Sequence, residues 1–217
     1  MEINIENIDE FIKDKNIKRI FLDIDGVLLR SCDCICNLLR SQEGLYTNVT
    51  GKDIFSWNFK EAFDEDAKMR GDESPLSDQY MSYIVEGLFE SDDFFKSVDF
   101  IDGALDFLEK YKDKIICVTK SNIKNLNGKV QTFKDLNLGD IPIIGMPLNI
   151  SKGFINMEYY EDKKGKSLFI DDCAVNLIES NADYKIQFRE YNDGQNNKRK
   201  WISDWTDHRN EYVMYHW

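Results

Sequence analysis

The chain has 217 residues, a formal net charge of −12, 42% hydrophobic residues and 13% aromatics. That composition supports a packed core and excludes a disordered chain. The acidity works against non-specific binding to nucleic acid or an anionic membrane, since both need basic surface. The length fits one core domain with a sizeable insert. No apolar run is long enough to span a bilayer. Residues 1–18 lack a basic start followed by an apolar stretch, so no signal peptide is expected. Five cysteines without a secretory signal read as reduced thiols in a cytoplasmic protein.

Residues 7–15 carry apolar side chains at Ile8, Phe11 and Ile12, the spacing of a short amphipathic helix. Residues 18–23 form a compact apolar strand that runs into the stretch RIFLDIDGVLL, with Asp23 and Asp25 just before Gly26. From residue 31 to about 98 the text turns helical, with little strand signal. Its clearest helix covers 74–90, with Ser74 as N-cap, Pro75 at the first helical position and a stripe of Leu76, Tyr80, Tyr83, Ile84 and Leu88. Cys32, Cys34 and Cys36 read as buried thiols of this insert, because no histidine stands near them in sequence.

After that, alternation sets in. A helix is expected over 102–112, a buried strand over 114–119 and a helix over 122–136 that Gly128 weakens. Strands at 141–145, 167–171 and 184–188 follow, with a helix at 174–182 before the last. The polar tail 192–217, with three tryptophans, receives no assignment. Strands alternating with helices imply crossover connections. The expected fold is α/β, a Rossmann-like and mainly parallel sheet flanked by helices, with residues 31–98 inserted helically after the first strand.

In such sheets ligands bind beyond the carboxyl ends of the strands. Three of these ends carry chemistry: Asp23 and Asp25; Thr119 followed by Lys120 and Ser121; and Asp171 with Asp172. Two carboxylates about 4 Å apart repel by about 4 kcal/mol at an effective dielectric near 20. Either one takes a proton or a cation sits between them. A hard divalent ion, most simply Mg²⁺, suits carboxylates and still leaves positions for water and a phosphate. Zinc suits the site less, since no histidine lies near these strand ends.

D-x-D-G-V at one strand end, a second strand ending in Thr and a third ending in Asp-Asp resemble the haloacid dehalogenase-like phosphatase superfamily. The resemblance implies that Asp23 is the nucleophile and forms an aspartyl-phosphate. Asp25 would act as general acid and then as base, with its backbone carbonyl on the metal. Thr119 would bond the phosphoryl group, together with Lys120 and Ser121. Asp172 would be a Mg²⁺ ligand alongside Asp23, with Asp171 in support. A phosphate lysine is also implied, and Lys152 is the expected one; Lys120, Lys129, Lys134, Lys163, Lys164 and Lys166 are further candidates. Residues 1–30 and 99–217 would be the catalytic core and 31–98 a cap that sets specificity.

The D-I-D-G-V-L start, the FSWNF stretch and the terminal Asp-Asp are most similar to the 5′(3′)-deoxyribonucleotidase branch. A nucleoside monophosphate is therefore the expected substrate; Phe55, Trp57 and Phe59 either pack within the insert, as most such residues do, or stack on its base. Sugar phosphates, a nucleic-acid 3′-phosphate and a catalytically silent binding module are the alternatives. The acidity counts against the nucleic acid.

Overall fold

The computed structural model describes residues 2–42, 48–54, 59–71, 77–158, 164–190 and 211–217. Among these residues seven strands form one sheet: β1 (Glu2–Asn4), β2 (Ile17–Leu22), β3 (Ile115–Lys120), β4 (Ile143–Met146), β5 (Lys166–Asp171), β6 (Tyr184–Phe188) and β7 (Glu211–Met214). Their order is β1-β7-β6-β5-β2-β3-β4, and every neighbouring pair is parallel. Parallel strands bury both faces, and the side chains sort by the two-residue period. Ile20, Leu22, Leu168 and Ile170 enter one apolar cluster, whereas Phe21, Val118 and Phe169 enter the cluster on the opposite face.

The crossovers are helical. α1 (Ile8–Asp14) begins at Asn7, whose side chain accepts from the Glu10 backbone N–H. α6 (Ala104–Tyr111) leads into β3, and α7 (Ile123–Asp135) and α8 (Ala174–Glu179) follow β3 and β5 respectively. α7 starts where Asn122 caps it by accepting from the Asn125 backbone N–H at 3.0 Å. α8 stops at Ser180, shorter than the 174–182 expected.

Between β2 and α6 lie α2 (Ser31–Gln42), α3 (Phe59–Arg70), α4 (Asp78–Phe89) and α5 (Asp92–Ser97). They close around an apolar cluster of their own that holds Ile35, Leu39, Phe59, Met81, Leu88, Phe94, Cys34 and Cys36. The helix expected from Ser74 begins instead at Asp78, because the Ser77 hydroxyl caps it by accepting from the Tyr80 N–H. Ser74 and Pro75 lie outside the described residues. Two linkers join this segment to the sheet, and they bond to each other: Arg30 N–H to the Asp99 carbonyl at 2.9 Å and Ile101 N–H to the Leu28 carbonyl at 2.8 Å. Gly128, which weakens α7 on propensity, has a packing reason. A Cβ there would stand 2.1 Å from the Phe95 ring, so its absence lets α5 lie against α7.

Two strands went unread in the sequence. β1 and β7 are short and pair with each other at one edge of the sheet. The tail that received no assignment thus supplies a strand and then Trp217. The Trp217 indole donates to the Val27 carbonyl at 2.9 Å, and its ring packs on Phe107 and Phe188. Trp217→Ala is expected to destabilise the protein by about 2–4 kcal/mol, since it removes a large packed ring and a hydrogen bond. Urea denaturation monitored by circular dichroism reads this; an unchanged midpoint would mean that the tail does not contribute to the core.

Candidate active site

The carboxyl ends of β2, β3 and β5 lie side by side, so the three polar sequence segments converge by topology alone. Asp23 follows β2 directly, and its N–H donates to the Ile170 carbonyl of β5 at 2.9 Å. Beyond it the chain turns sharply, with Leu28 and Leu29 N–H both reaching the Ile24 carbonyl. Gly26 sits in this turn at φ +73°, and a Cβ there would come within 2.6 Å of an Asp172 carboxylate oxygen. Only glycine combines that backbone with that approach.

A cavity of about 430 Å³ opens above these strand ends. Asp23, Asp25, Lys120, Ser121, Lys152 and Asp172 all line it. Thr119 and Asp171 lie just beneath, both fully buried. The opposite wall comes from α4, where Ser82, Val85, Glu86 and Phe89 recur at helical spacing and face the cavity.

One cation organises the floor. Lys152, 1% exposed, places its Nζ 2.8 Å from Asp23 Oδ2 and 2.7 Å from Asp171 Oδ2. It stands on a short 3-10 turn, Lys152–Phe154, where Ser151 accepts from the Gly153 N–H. Asp171 is saturated: besides Lys152 it accepts from the Cys173 N–H at 2.8 Å and from the Asn176 amide at 3.0 and 3.1 Å. The Asp172 carboxylate accepts no hydrogen bond among the described residues, which leaves its oxygens for a ligand. One oxygen from each of Asp23, Asp171 and Asp172 falls within 4.8 Å of the others.

The electrostatics follow from that crowding. Burial alone would lower Lys152, but the charges of Asp171 and Asp23 outweigh it and hold the lysine above its ordinary value. Asp23 is pushed up to about 7, first by burial; Asp171 and Asp25 add to the rise and Lys152 opposes it. Asp172 is raised well above the carboxylate range by burial, then by Asp171 and Asp23. A single ammonium does not balance three carboxylates. A hard divalent cation held by Asp23 and Asp172 would, and these all-oxygen donors fit Mg²⁺.

Among the expected phosphate contacts, the Ser121 hydroxyl is buried without a hydrogen-bond partner among the described residues, although its residue lines the cavity. Such an orphan is the mark of a missing polar ligand. Thr119 Oγ1 accepts from Lys129 at 2.8 Å. Lys129 also donates to Asp25 Oδ2, while the Ser31 hydroxyl donates to Asp25 Oδ1 at 2.6 Å. Lys129, one of the candidate phosphate lysines, stands apart from Lys152. Its signal was present on the inner face of α7, which reads Asn125, Lys129, Phe133 at four-residue spacing. Polar residues on a buried stripe report a site.

Lys166 starts β5, at the end away from the site, and pairs with Asp183. Lys134 lies near the far end of α7. Lys163, Phe55 and Trp57 lie outside the described residues. Phe59, a candidate for stacking on a base, is 1% exposed and packed into the helical segment's own core, because it begins α3 on that helix's inner face. Phe89 on the cavity wall and Asn176 behind Asp171 were not picked out, and each is visible only once α4 and α8 are placed.

No protein-family model matches the chain, and no curated protein matches it. Solved structures do. A haloacid dehalogenase (HAD) family hydrolase from Deinococcus radiodurans R1, with bound phosphate and sodium, superposes with a TM-score of 0.57 at 14% identity. The match covers 93% of this chain and 92% of that one. A haloacid dehalogenase-like hydrolase from Streptococcus pneumoniae gives 0.52 at 14% identity, over 92% and 94% of the two chains. A predicted phosphoglycolate phosphatase from Haemophilus somnus 129PT gives 0.50 at 14%, over 93% and 95%. The α/β sheet with flanking helices is therefore the fold of haloacid dehalogenase-like hydrolases.

The raised carboxyls predict a pH dependence. Asp23 binds its proton more tightly folded than unfolded, so its contribution to stability is fully present below 3.8 and is lost as pH rises through about 7. Asp172 acts in the same direction. In chelator, the urea midpoint is expected to be lower at about pH 8 than at about pH 5, and Mg²⁺ should restore more of it at the higher pH. A midpoint that rises between these pH values, or a Mg²⁺ effect confined to the lower one, would contradict the electrostatics described.

Proposed function

We propose that the protein is a Mg²⁺-dependent phosphomonoester hydrolase that works through an aspartyl-phosphate on Asp23, with a nucleoside monophosphate as substrate. The observation that carries the reading is the floor of the cavity. Three carboxylates share it with one buried lysine, beside a serine hydroxyl that has no partner among the described residues.

The residues supply the steps in order. The Asp23 carboxylate attacks phosphorus; an oxygen–phosphorus bond forms and the ester bond opposite it breaks. Asp25, on the same turn, gives the departing oxygen a proton. A water then attacks the phosphorus of the aspartyl-phosphate, Asp25 takes its proton, and phosphate leaves with Asp23 restored. Lys152, held against Asp23, offsets charge on the phosphoryl oxygens, and Ser121 and Thr119 offer hydroxyls. Asp23 and Asp172, with the Asp25 carbonyl, would hold Mg²⁺, which would supply further charge neutralisation. Residues 31–98 act as the cap: α4 forms the wall facing the strand ends and so meets the leaving group. Closure over the site would exclude water from the first step.

A cavity of 430 Å³ lies in the range of small-molecule sites and accommodates a nucleoside. With Phe59 in the core, Phe89 is the described ring that fits the role of base platform. The negative charge of the chain keeps polymeric nucleic acid outside this reading.

The assay is phosphate release from 4-nitrophenyl phosphate with and without Mg²⁺, followed by a panel of nucleoside monophosphates and sugar phosphates. Activity should require the metal, and Asp23→Asn should lower kcat about 10⁴-fold or more. Nucleotides should lead the panel, and Phe89→Ala should raise KM for them more than for sugar phosphates. A sugar phosphate at the head of the panel would replace the substrate; no release from any ester would favour a silent binding module.

A further inference from the structure

Two lysines are buried at this site, and the steps above use one. Lys129 is fully buried and does not line the cavity. Burial of an ammonium is unfavourable unless its hydrogen bonds and charge are met. Phe133, one turn further along the same face of α7, shows what the position would otherwise hold. Lys129 instead reaches two groups of the site at once, Asp25 Oδ2 and Thr119 Oγ1.

Each contact has a directional consequence. Asp25 is gripped from two sides, by Lys129 of α7 on one oxygen and by Ser31 of α2 on the other. An oxygen that accepts one hydrogen bond keeps a lone pair that can carry a transferred proton, so these donors orient the carboxyl without blocking it. Thr119 Oγ1 accepts from an ammonium that can only donate. Its own hydroxyl proton is therefore left to point elsewhere, which is what a phosphoryl contact requires.

We propose that Lys129 is a positioning residue for phosphoryl transfer, aiming the Asp25 carboxyl at the leaving oxygen and the Thr119 hydroxyl at the phosphoryl group. The inference rests on the phosphatase reading. Lys129 exchanges no atom in the reaction: the ester oxygen that leaves phosphorus takes its proton from Asp25.

The test is the leaving-group dependence of kcat/KM, with saturating Mg²⁺, for glycerol 2-phosphate and 4-nitrophenyl phosphate. The alkyl ester needs a well-aimed proton and the aryl ester scarcely does. Lys129→Met should lower kcat/KM for the alkyl ester about 100-fold and for the aryl ester by less than about tenfold. In an Asp25→Asn background the alkyl loss should shrink to less than about tenfold, because the group being aimed is gone. Equal losses on both esters, or an alkyl loss that persists in full without Asp25, would overturn the proposal. The single substitution leaves a buried carboxylate without its cation. Should that variant unfold, the charge-balanced pair Asp25→Asn with Lys129→Met is compared with Asp25→Asn alone: agreement within about tenfold on both esters supports the proposal, and a further drop of about 100-fold on the alkyl ester overturns it. A wild-type protein inactive on these two esters and on the whole panel of nucleotides and sugar phosphates would remove the phosphatase reading and this inference with it.

Discussion

The site is organised by a buried ammonium that touches two carboxylates. Lys152 lies between Asp23 and Asp171, shielded from solvent, and a third acid stands within reach of the same point. Neither partner is optional, since a buried charge is tolerated only when paired. The arrangement is also unbalanced on purpose-built terms: Asp171 is saturated by donors, Asp23 is shared, and Asp172 is open. The excess negative charge suits a divalent cation, which the proposed function places there. A phosphate dianion can enter only where that excess has been cancelled.

The sheet topology delivers these groups to one place. With β2 flanked by β3 and β5, three strand ends far apart in sequence become neighbours, and their last residues must face the same crevice. The local devices then set direction. Gly26 allows the turn after Asp23 to pass close to Asp172, and Asn122 starts α7 so that its inner face carries Lys129 under Thr119. The helical segment brings its own core, which spares the sheet from stabilising it and leaves the α4 face free to meet a ligand.

The strands and the acids were readable because their signals are local. A parallel strand is a short apolar run; β3 and β5 end in polar residues and β2 runs directly into one, Asp23, and such residues make no sense as core. Lys152, the lysine expected from its place after an apolar strand, does lie against Asp23 and Asp171. What escaped depended on partners distant in sequence. β1 and β7 are four residues or fewer and exist through pairing with each other and with β6. The placement of Lys129 against Asp25 and Thr119 required knowing which face of α7 turns inward. Phe59 reads as an available aromatic until α3 is seen to bury it among other helices, where burial of its ring outweighs any exposure to a ligand.

The central claim is that the Asp23 carboxylate accepts the phosphoryl group, and it can be tested on the covalent bond itself. Turnover is stopped with borohydride, which reduces an acyl phosphate to the alcohol, and the digested protein is read by mass spectrometry. The account predicts homoserine at position 23, formed only when a phosphomonoester and Mg²⁺ were both present. Steady hydrolysis with an unmodified Asp23, or with the reduced residue at another position, would contradict it.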